Sequence, residues 1–467
     1  MKWLSLILLC FLASCTVGPK NAQPTVPTAP AYTESAGWKT AQPSDAFQKG
    51  KWWEIFNEPE LNTLEEQVAP ANQSLKIAEA NYREARASIQ FQRSFQFPTV
   101  SAAPSITTNR ISANYPVGGA GVQYGLFTLP INASFDADLW GRIRKAVEAA
   151  KEQSQASAAD FENVKLELQT ELASYYFTIR GLDSQKRLLD DTVVNYQKAY
   201  DLTNNRYNGG VASKAEVAQA KTQLNQTQAQ VIDLGEQRAR LEHGIAVLTG
   251  KPPEGFHVGV AQLQNVIPEI PLGIPSELLQ RRPDIAASER QVAAANAQIG
   301  IAVSAFYPTI SLSGEGGFES THGGTWIQGP SALWSLGAQA AELLFDAGKR
   351  RALTDQVKHQ YEAQVSNYKG VIFLAFEDVE DQLSGLRILE QESGVEAKAV
   401  ASAQHSYDIS NQRYKGGVTS YLEVLTAEAT LIQNQRTAID LQTRQFVDSV
   451  ALVRSLGGGW DASQLPK

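Results

Sequence analysis

Arg206-Tyr207-Asn208-Gly209-Gly210-Val211 closes one long stretch of the chain, and Arg413-Tyr414-Lys415-Gly416-Gly417-Val418 closes another 207 residues later. Upstream, Trp140-Gly141-Arg142 aligns with Ala347-Gly348-Lys349 at the same offset of 207. Phe97-Pro98-Thr99-Val100-Ser101 returns as Tyr307-Pro308-Thr309-Ile310-Ser311, offset by 210. Three matches in order describe a duplicated domain, because the period is far longer than that of a solenoid repeat.

Within each copy the order reads helix, strand, strand, very long helix, turn, helix. From Gly141 to Tyr207 there is no proline and only one interior glycine, Gly181. Such a run predicts a helix of 67 residues, roughly 100 Å at 1.5 Å per residue. Larger side chains recur along it at Phe161, Val164, Leu168, Leu172, Tyr175, Ile179 and Leu182, then at Leu189, Val193, Tyr196, Tyr200 and Tyr207. That spacing averages about 3.5 residues, the seam of a left-handed coiled coil. A helix of this kind packs edgewise against similar helices. The shorter helices expected at 75–96 and 213–249 together nearly match its length, so end to end they would run beside it. The second copy repeats the pattern at 349–414 and 420–456.

The predicted strands alternate. Phe127, Leu129, Ile131, Ala133 and Phe135 interleave with Thr128, Pro130, Asn132 and Ser134; Ile310, Leu312, Gly314, Gly316 and Phe318 interleave with Ser311, Ser313, Glu315 and Gly317. Period-2 segments of about ten residues fit an outer-membrane barrel, apolar toward lipid and polar toward water. Loops are expected at Gly118 to Gly121 and Ser320 to Pro330, with Trp326 and Trp334 at a headgroup boundary. Each chain offers about four strands, whereas closed membrane barrels start at roughly eight. An open edge in hydrocarbon leaves backbone groups unpaired at several kcal/mol each, so copies must assemble. Two would give eight strands and three would give twelve; composition does not choose.

The chain has 467 residues, 43% of them apolar, with 41 basic and 49 acidic side chains and a net charge of -8. The apolar share excludes wholesale disorder, and the acidic balance argues against a nucleic-acid partner. Beyond the first fifteen residues no apolar run is long enough for a membrane-spanning helix. Lys2 and the short apolar run Trp3 to Leu12 read as an export signal. Leu12-Ala13-Ser14-Cys15 resembles a bacterial lipobox, in which Cys15 carries diacylglycerol and palmitate; no other cofactor and no metal are expected. Thr16 follows, where an aspartate would signal inner-membrane retention, so the outer membrane is the implied address. Residues 19–50 are rich in Pro, Ala, Thr and Gln and read as an extended tether. The chain thus divides into a signal peptide (1–14), a lipidated tether and equatorial segment (15–60), a first repeat (61–250), a linker (251–275), a second repeat (276–459) and a tail (460–467).

Taken together, the sequence resembles the outer-membrane factor family, the TolC-like channels, in the lipoprotein branch serving drug-efflux pumps of the resistance-nodulation-division type. The lipobox, Trp52-Trp53-Glu54-Ile55-Phe56, Arg281-Arg282-Pro283-Asp284-Ile285, the paired Arg-Tyr-x-Gly-Gly turns and Leu456-Gly457-Gly458-Gly459-Trp460 carry the resemblance. It implies a mostly α fold with membrane β structure: a homotrimer with a twelve-stranded barrel, a periplasmic α-helical barrel and a mixed α/β equatorial belt. It also implies a passive duct, in contact with outer-membrane lipid and opened when a periplasmic adaptor and an inner-membrane pump dock.

Mechanism is expected at the hairpin ends. Gly209, Gly210, Gly416 and Gly417 follow long helices, where a left-handed cap favours glycine. Ser213 with Glu216, and Ser420 with Glu423, fit capping boxes. Both glutamates are also candidates for a constriction that attracts cations, Glu423 more than Glu216, which the cap explains better. Gln219 and Thr426 stand where many family members place an aspartate, a departure that weakens the transfer of a carboxylate gate. Arg206, Tyr207, Arg413 and Tyr414 lie at helix C-termini, where a cation suits the dipole. With the repeat-equivalent Asp201 and Asp408 they could also link neighbouring helices and hold the end shut. The turns Asn208 to Val211 and Lys415 to Val418 are the expected adaptor contacts.

An enzyme is not expected. The five histidines (His243, His257, His322, His359, His405) are scattered, without metal-ligand spacing or a nucleophile arrangement. The competing reading is a lipid-anchored periplasmic helical scaffold without a pore.

Overall fold

A computed structural model describes residues 16–34, 50–114, 121–264, 266–268, 270 and 277–466. The export signal, Cys15, residues 35–49, the glycines at 118 and 119, and 271–275 of the linker lie outside the described residues. The helices are α1 (Pro59–Ala71), α2 (Gln73–Ser94), α3 (Arg142–Asn208), α4 (Lys214–Leu248), α5 (Leu278–Arg281), α6 (Pro283–Ser304), α7 (Lys349–Lys415) and α8 (Tyr421–Ser455). Both long helices have 67 residues, as the absence of proline predicts, and their ends are offset by 207, like those of α4 and α8. The duplication is therefore preserved in backbone as well as in sequence.

The chain divides into two compact units. The first holds residues 1–25, 80–158 and 287–369, and with them the whole sheet. Its strands are β1 (Thr99–Ala102), β2 (Ser105–Arg110), β3 (Gln123–Ala137), β4 (Thr309–Ser320) and β5 (Ala332–Ala341). All pairings are antiparallel, in the order β1-β3-β4-β5, with β2 also on β3. β1 and β2 lie end to end along β3, so four strand positions are filled. The break between them falls at Pro104 beside Pro130 of β3, neither of which can donate to a ladder.

Register puts the expected alternation to use. Val100, Ala133, Gly314 and Leu336 form one cross-strand row, Ala102, Ile131, Gly316 and Trp334 the next, and Phe135, Leu312 and Ala338 another. Rows from the opposite face read Asn132, Glu315 and Ser335, then Ser134, Ser313 and Gly337, then Asp136, Ser311 and Gln339. One face is apolar and the other polar because side chains alternate strictly along a strand. Trp334 (79% exposed) and Leu336 (81%) stand on the apolar face, with Val100, Ile106, Ile131 and Leu312 also exposed there. Trp326 instead tucks against Phe127, ring centroids 5.6 Å apart.

The second unit holds residues 26–79, 159–286 and 370–467. Trp52, Trp53 and Phe56 form a buried 3₁₀ turn, and Phe56, Phe177 and Phe446 pack together at 4.8–6.3 Å between centroids. Tyr176 and Phe177 are buried off the predicted seam of α3, because this level of the helix is covered on more than one side. Arg180, 2% exposed, binds Glu60, Tyr176 Oη (2.8 Å) and the Gly259 carbonyl. Arg238 bridges Asp183 (2.7 Å) and Glu242 (2.6 Å), and those carboxylates accept the amides of Ala261 and Val258. The extended chain over 258–263 is thus held by side chains. Among the described residues, strand pairing is confined to the first unit.

End-to-end stacking of the short helices is visible at both repeat junctions. Asn72, before α2, donates to the last carbonyl of α4 (Leu248, 3.0 Å) and caps α2 through Leu75 N (3.1 Å). Arg282, before α6, donates to the last carbonyl of α8 (Ser455, 3.2 Å) and pairs with Asp284 and Asp378. The Arg-Arg-Pro-Asp-Ile motif is therefore a helix splice.

The supposed tether corrects the sequence reading where it is described. Val17 N donates to the Trp140 carbonyl (3.1 Å), and Asn296 to that of Pro19 (3.4 Å). In the second unit, Thr33 and Glu34 amides bind the Glu380 carboxylate at 2.6 and 3.0 Å, and Glu34 pairs with Arg387. A proline-rich segment makes no helix of its own, so its backbone groups find partners on the body instead.

Candidate functional site

The two hairpin ends, 208–213 and 415–420, lie in the second unit and share one backbone design. Val211 N reaches back to the Arg206 carbonyl (2.8 Å) and Val418 N to that of Arg413 (2.9 Å). Only the second glycine of each pair is left-handed, Gly210 at φ +76 and Gly417 at φ +72. Gly209 and Gly416 are not, and a Cβ there would meet its nearest neighbour at an ordinary 3.5 Å, which corrects the expectation for all four glycines. Asn208, Val211, Lys415 and Val418 are exposed around them.

Side chains differ between the ends. In the first, Glu216 N donates to Ser213 Oγ (3.2 Å) and Ser213 N to the Glu216 carboxylate (2.6 Å), completing the capping box. In the second, Ser420 makes no side-chain cap. Glu423 turns instead to Arg413 (3.1 Å) and to the Thr419 hydroxyl. The second capping box is therefore a correction: a charged guanidinium, joined by a hydroxyl, outcompetes one backbone amide for the same carboxylate.

A hydrogen bond joins the hairpins near their ends. Arg206 Nη1 donates to Tyr414 Oη at 2.6 Å, with its guanidinium 5.2 Å from that ring's centroid. The repeat-equivalent pair, Arg413 and Tyr207, is not joined within the chain, and Tyr207 is exposed. The aspartates take no part in this link: Asp201 accepts from Gln197 and Asp408 from Gln404, each at 2.9 Å along its own helix.

Behind the ends lies a cluster of Tyr196, Ala220, Leu224, Tyr421, Val424 and Leu425, with Tyr407 and Tyr414 packed against it. Glu428 sits on the same buried stripe of α8 and is 8% exposed. Burial pushes its carboxyl up to about 7. Sequence reasoning missed Glu428, although its spacing from Tyr421, Val424 and Leu425 would have placed it inside.

In the first unit, β5 pairs only with β4, and β1 and β2 only with β3, so both sheet edges are open among the described residues. Among those residues, no helix is long and apolar enough to cross a membrane. An apolar-faced antiparallel sheet joined to two 67-residue helices, one from each repeat, is the decisive combination. The chain belongs to the outer membrane efflux protein family. The family's profile matches residues 64–251 and 274–458, the two repeats in turn. The chain is similar to the probable efflux pump outer membrane protein TtgC of Pseudomonas putida, 31% identical over 98% of this chain and 95% of that one. It is 28% identical to the cation efflux system protein CusC of Escherichia coli O6:H1, over 98% and 99%. Among solved structures it is similar to the outer-membrane channel OprN, with 29% identity, a TM-score of 0.89, and coverage of 96% and 100%. This efflux channel is accordingly an outer-membrane transport protein with a periplasmic helical extension, and not an enzyme.

Proposed function

We propose that three copies of this channel close their sheets into one twelve-stranded barrel and their helices into one periplasmic tunnel. The observation that carries this reading is the sheet, with a continuous exposed apolar face and two unpaired edges. Lipid suits the face, and only a neighbouring copy with the same strands suits the edges. The helices support the same assembly. Leu374, Ile388, Val395 and Ile409 of α7 are exposed at multiples of seven residues, a seam for another helix. Cys15 is the proposed lipid anchor. Its neighbours Thr16 and Val17 dock at Trp140 and Gly141, where the strands give way to α3, a suitable level for acyl chains to enter the bilayer.

In this reading the duct completes a tripartite system. The turns Asn208 to Val211 and Lys415 to Val418 present exposed backbone and two valines to a periplasmic adaptor, which recruits an inner-membrane pump of the resistance-nodulation-division type. Arg206 and Tyr414 hold the end shut until docking. Glu216 serves as a cap. Glu423 contributes to a constriction only with Arg413 beside it, which offsets its charge. Drugs or other small molecules are the cargo, and the pump selects among them.

Outer-membrane extracts separate this reading from a lipid-anchored scaffold. A heat-modifiable trimer that conducts ions in a planar bilayer is expected. A water-soluble monomer after Cys15→Ala, with no conductance from the wild type, would favour the scaffold.

A further inference from the structure

Glu428 is charged by composition but placed as if apolar. It occupies the stripe Tyr421, Val424, Leu425, Glu428 and Leu431 that α8 buries against three other helices. The groups facing it are phenols. Tyr196 approaches from α3, Tyr407 from α7 with Asp408 behind it, and Tyr421 from α8 itself. From α4 the cluster receives Ala220 and Leu224, and Thr227, uncharged, is buried one turn further on. Burial alone displaces the ionisation of Glu428, with no cation among the described residues offsetting it. Burial also holds the phenols up, so they stay neutral throughout the physiological range.

This carboxyl connects to the contact between the hairpins in two steps. Tyr421 packs on Tyr414 with ring centroids 5.3 Å apart, and Tyr414 receives the Arg206 hydrogen bond at 2.6 Å. Anything that loosens the tyrosine cluster therefore displaces the ring that Arg206 grips.

We propose that Glu428 makes the hairpin junction proton-sensitive: neutral, it lets the four helices pack and keeps Arg206 on Tyr414; ionised, it draws water into the junction and releases that link. The inference rests on the reading that the hairpin ends close the duct. An unpaired charge in a low-dielectric site costs more than a neutral carboxyl, and exposure relieves that cost. In an opened junction the group would ionise near its ordinary value of 4.5, against about 7 when packed. The packed form is thus favoured fully in acid and loses that advantage as pH rises from about 4.5 through 7. The closed-to-open ratio should fall by a factor on the order of 100 across that window.

The test uses the full-length assembled channel at pH 5.5 and 8. Hydrogen exchange over 407–431, corrected for intrinsic rates, should be at least about tenfold faster at pH 8 in the wild type. Single-channel open probability should rise in parallel. Glu428→Gln, neutral and of the same shape, should stay protected and closed at both values, while Glu428→Asp should restore the pH response. If Glu428→Gln fails to assemble, Glu428→Leu, which suits an apolar junction, carries the same expectation. A glutamine or leucine variant that keeps the wild-type response would overturn the proposal, as would wild-type exchange indifferent to pH. A wild type that conducts at no pH would instead overturn the duct reading, and the exchange comparison would still decide the switch.

Discussion

The two hairpin ends began as copies and now hold the same backbone with different side-chain bonds. Both close with a valine amide on an arginine carbonyl and a left-handed second glycine. Yet Ser213 and Glu216 cap their helix, whereas Glu423 leaves Ser420 for Arg413 and Thr419. Arg206 reaches across to the other hairpin, while Arg413 stays within its own. Backbone geometry is fixed by glycine and helix length, which duplication copies intact. Side-chain pairing depends on which neighbours each copy meets, and the two copies meet different ones.

Unequal responses to equivalent substitutions would sharpen this contrast, and equal ones would break it. The largest effect is expected at Arg206→Ala, which removes a charge-assisted hydrogen bond worth about 1.5–3 kcal/mol and should raise single-channel open probability. Arg413→Ala removes an exposed ion pair worth less than about 1 kcal/mol and should leave gating nearly unchanged. Next come Gly210→Ala and Gly417→Ala, each forced into a left-handed conformation at about 1–2 kcal/mol. Thermal unfolding should show that loss at both positions, but not for Gly209→Ala, whose backbone accepts a side chain. A smaller effect than at the glycines is expected at the helix starts. Ser213→Ala should cost about 1 kcal/mol and speed amide exchange in the first turn of α4. Ser420→Ala has no cap bond to lose, and matched exchange rates in the two variants would show that the ends are alike after all.

Much of the architecture was legible because it rests on local rules. The absence of proline set α3 and α7, and alternation set the sheet faces before any register was known. Helix lengths announced the end-to-end stacking, but the residues that splice it, Asn72 and Arg282, had no local signal, since their bonds span 176 and 173 residues. Residues 16–34 carry no periodicity, and their course is decided wholly by what they lie against. Glu423 illustrates a different barrier. Its spacing from Ser420 satisfies the capping rule, but the rule is silent about competitors, and Arg413 is supplied by the preceding helix. Glu428 is the converse: its spacing was informative and its chemistry concealed it, because a glutamate is read as a surface residue by default.

The open strand edges carry a genetic consequence. In the proposed assembly the strand edges lie in the first unit, and the hairpin ends lie in the second. An allele that jams the hairpin turn therefore leaves the strand edges intact, and in that assembly its product should enter rings beside normal subunits. Such alleles should be dominant when co-expressed with wild type, whereas alleles that spoil β5 should be recessive.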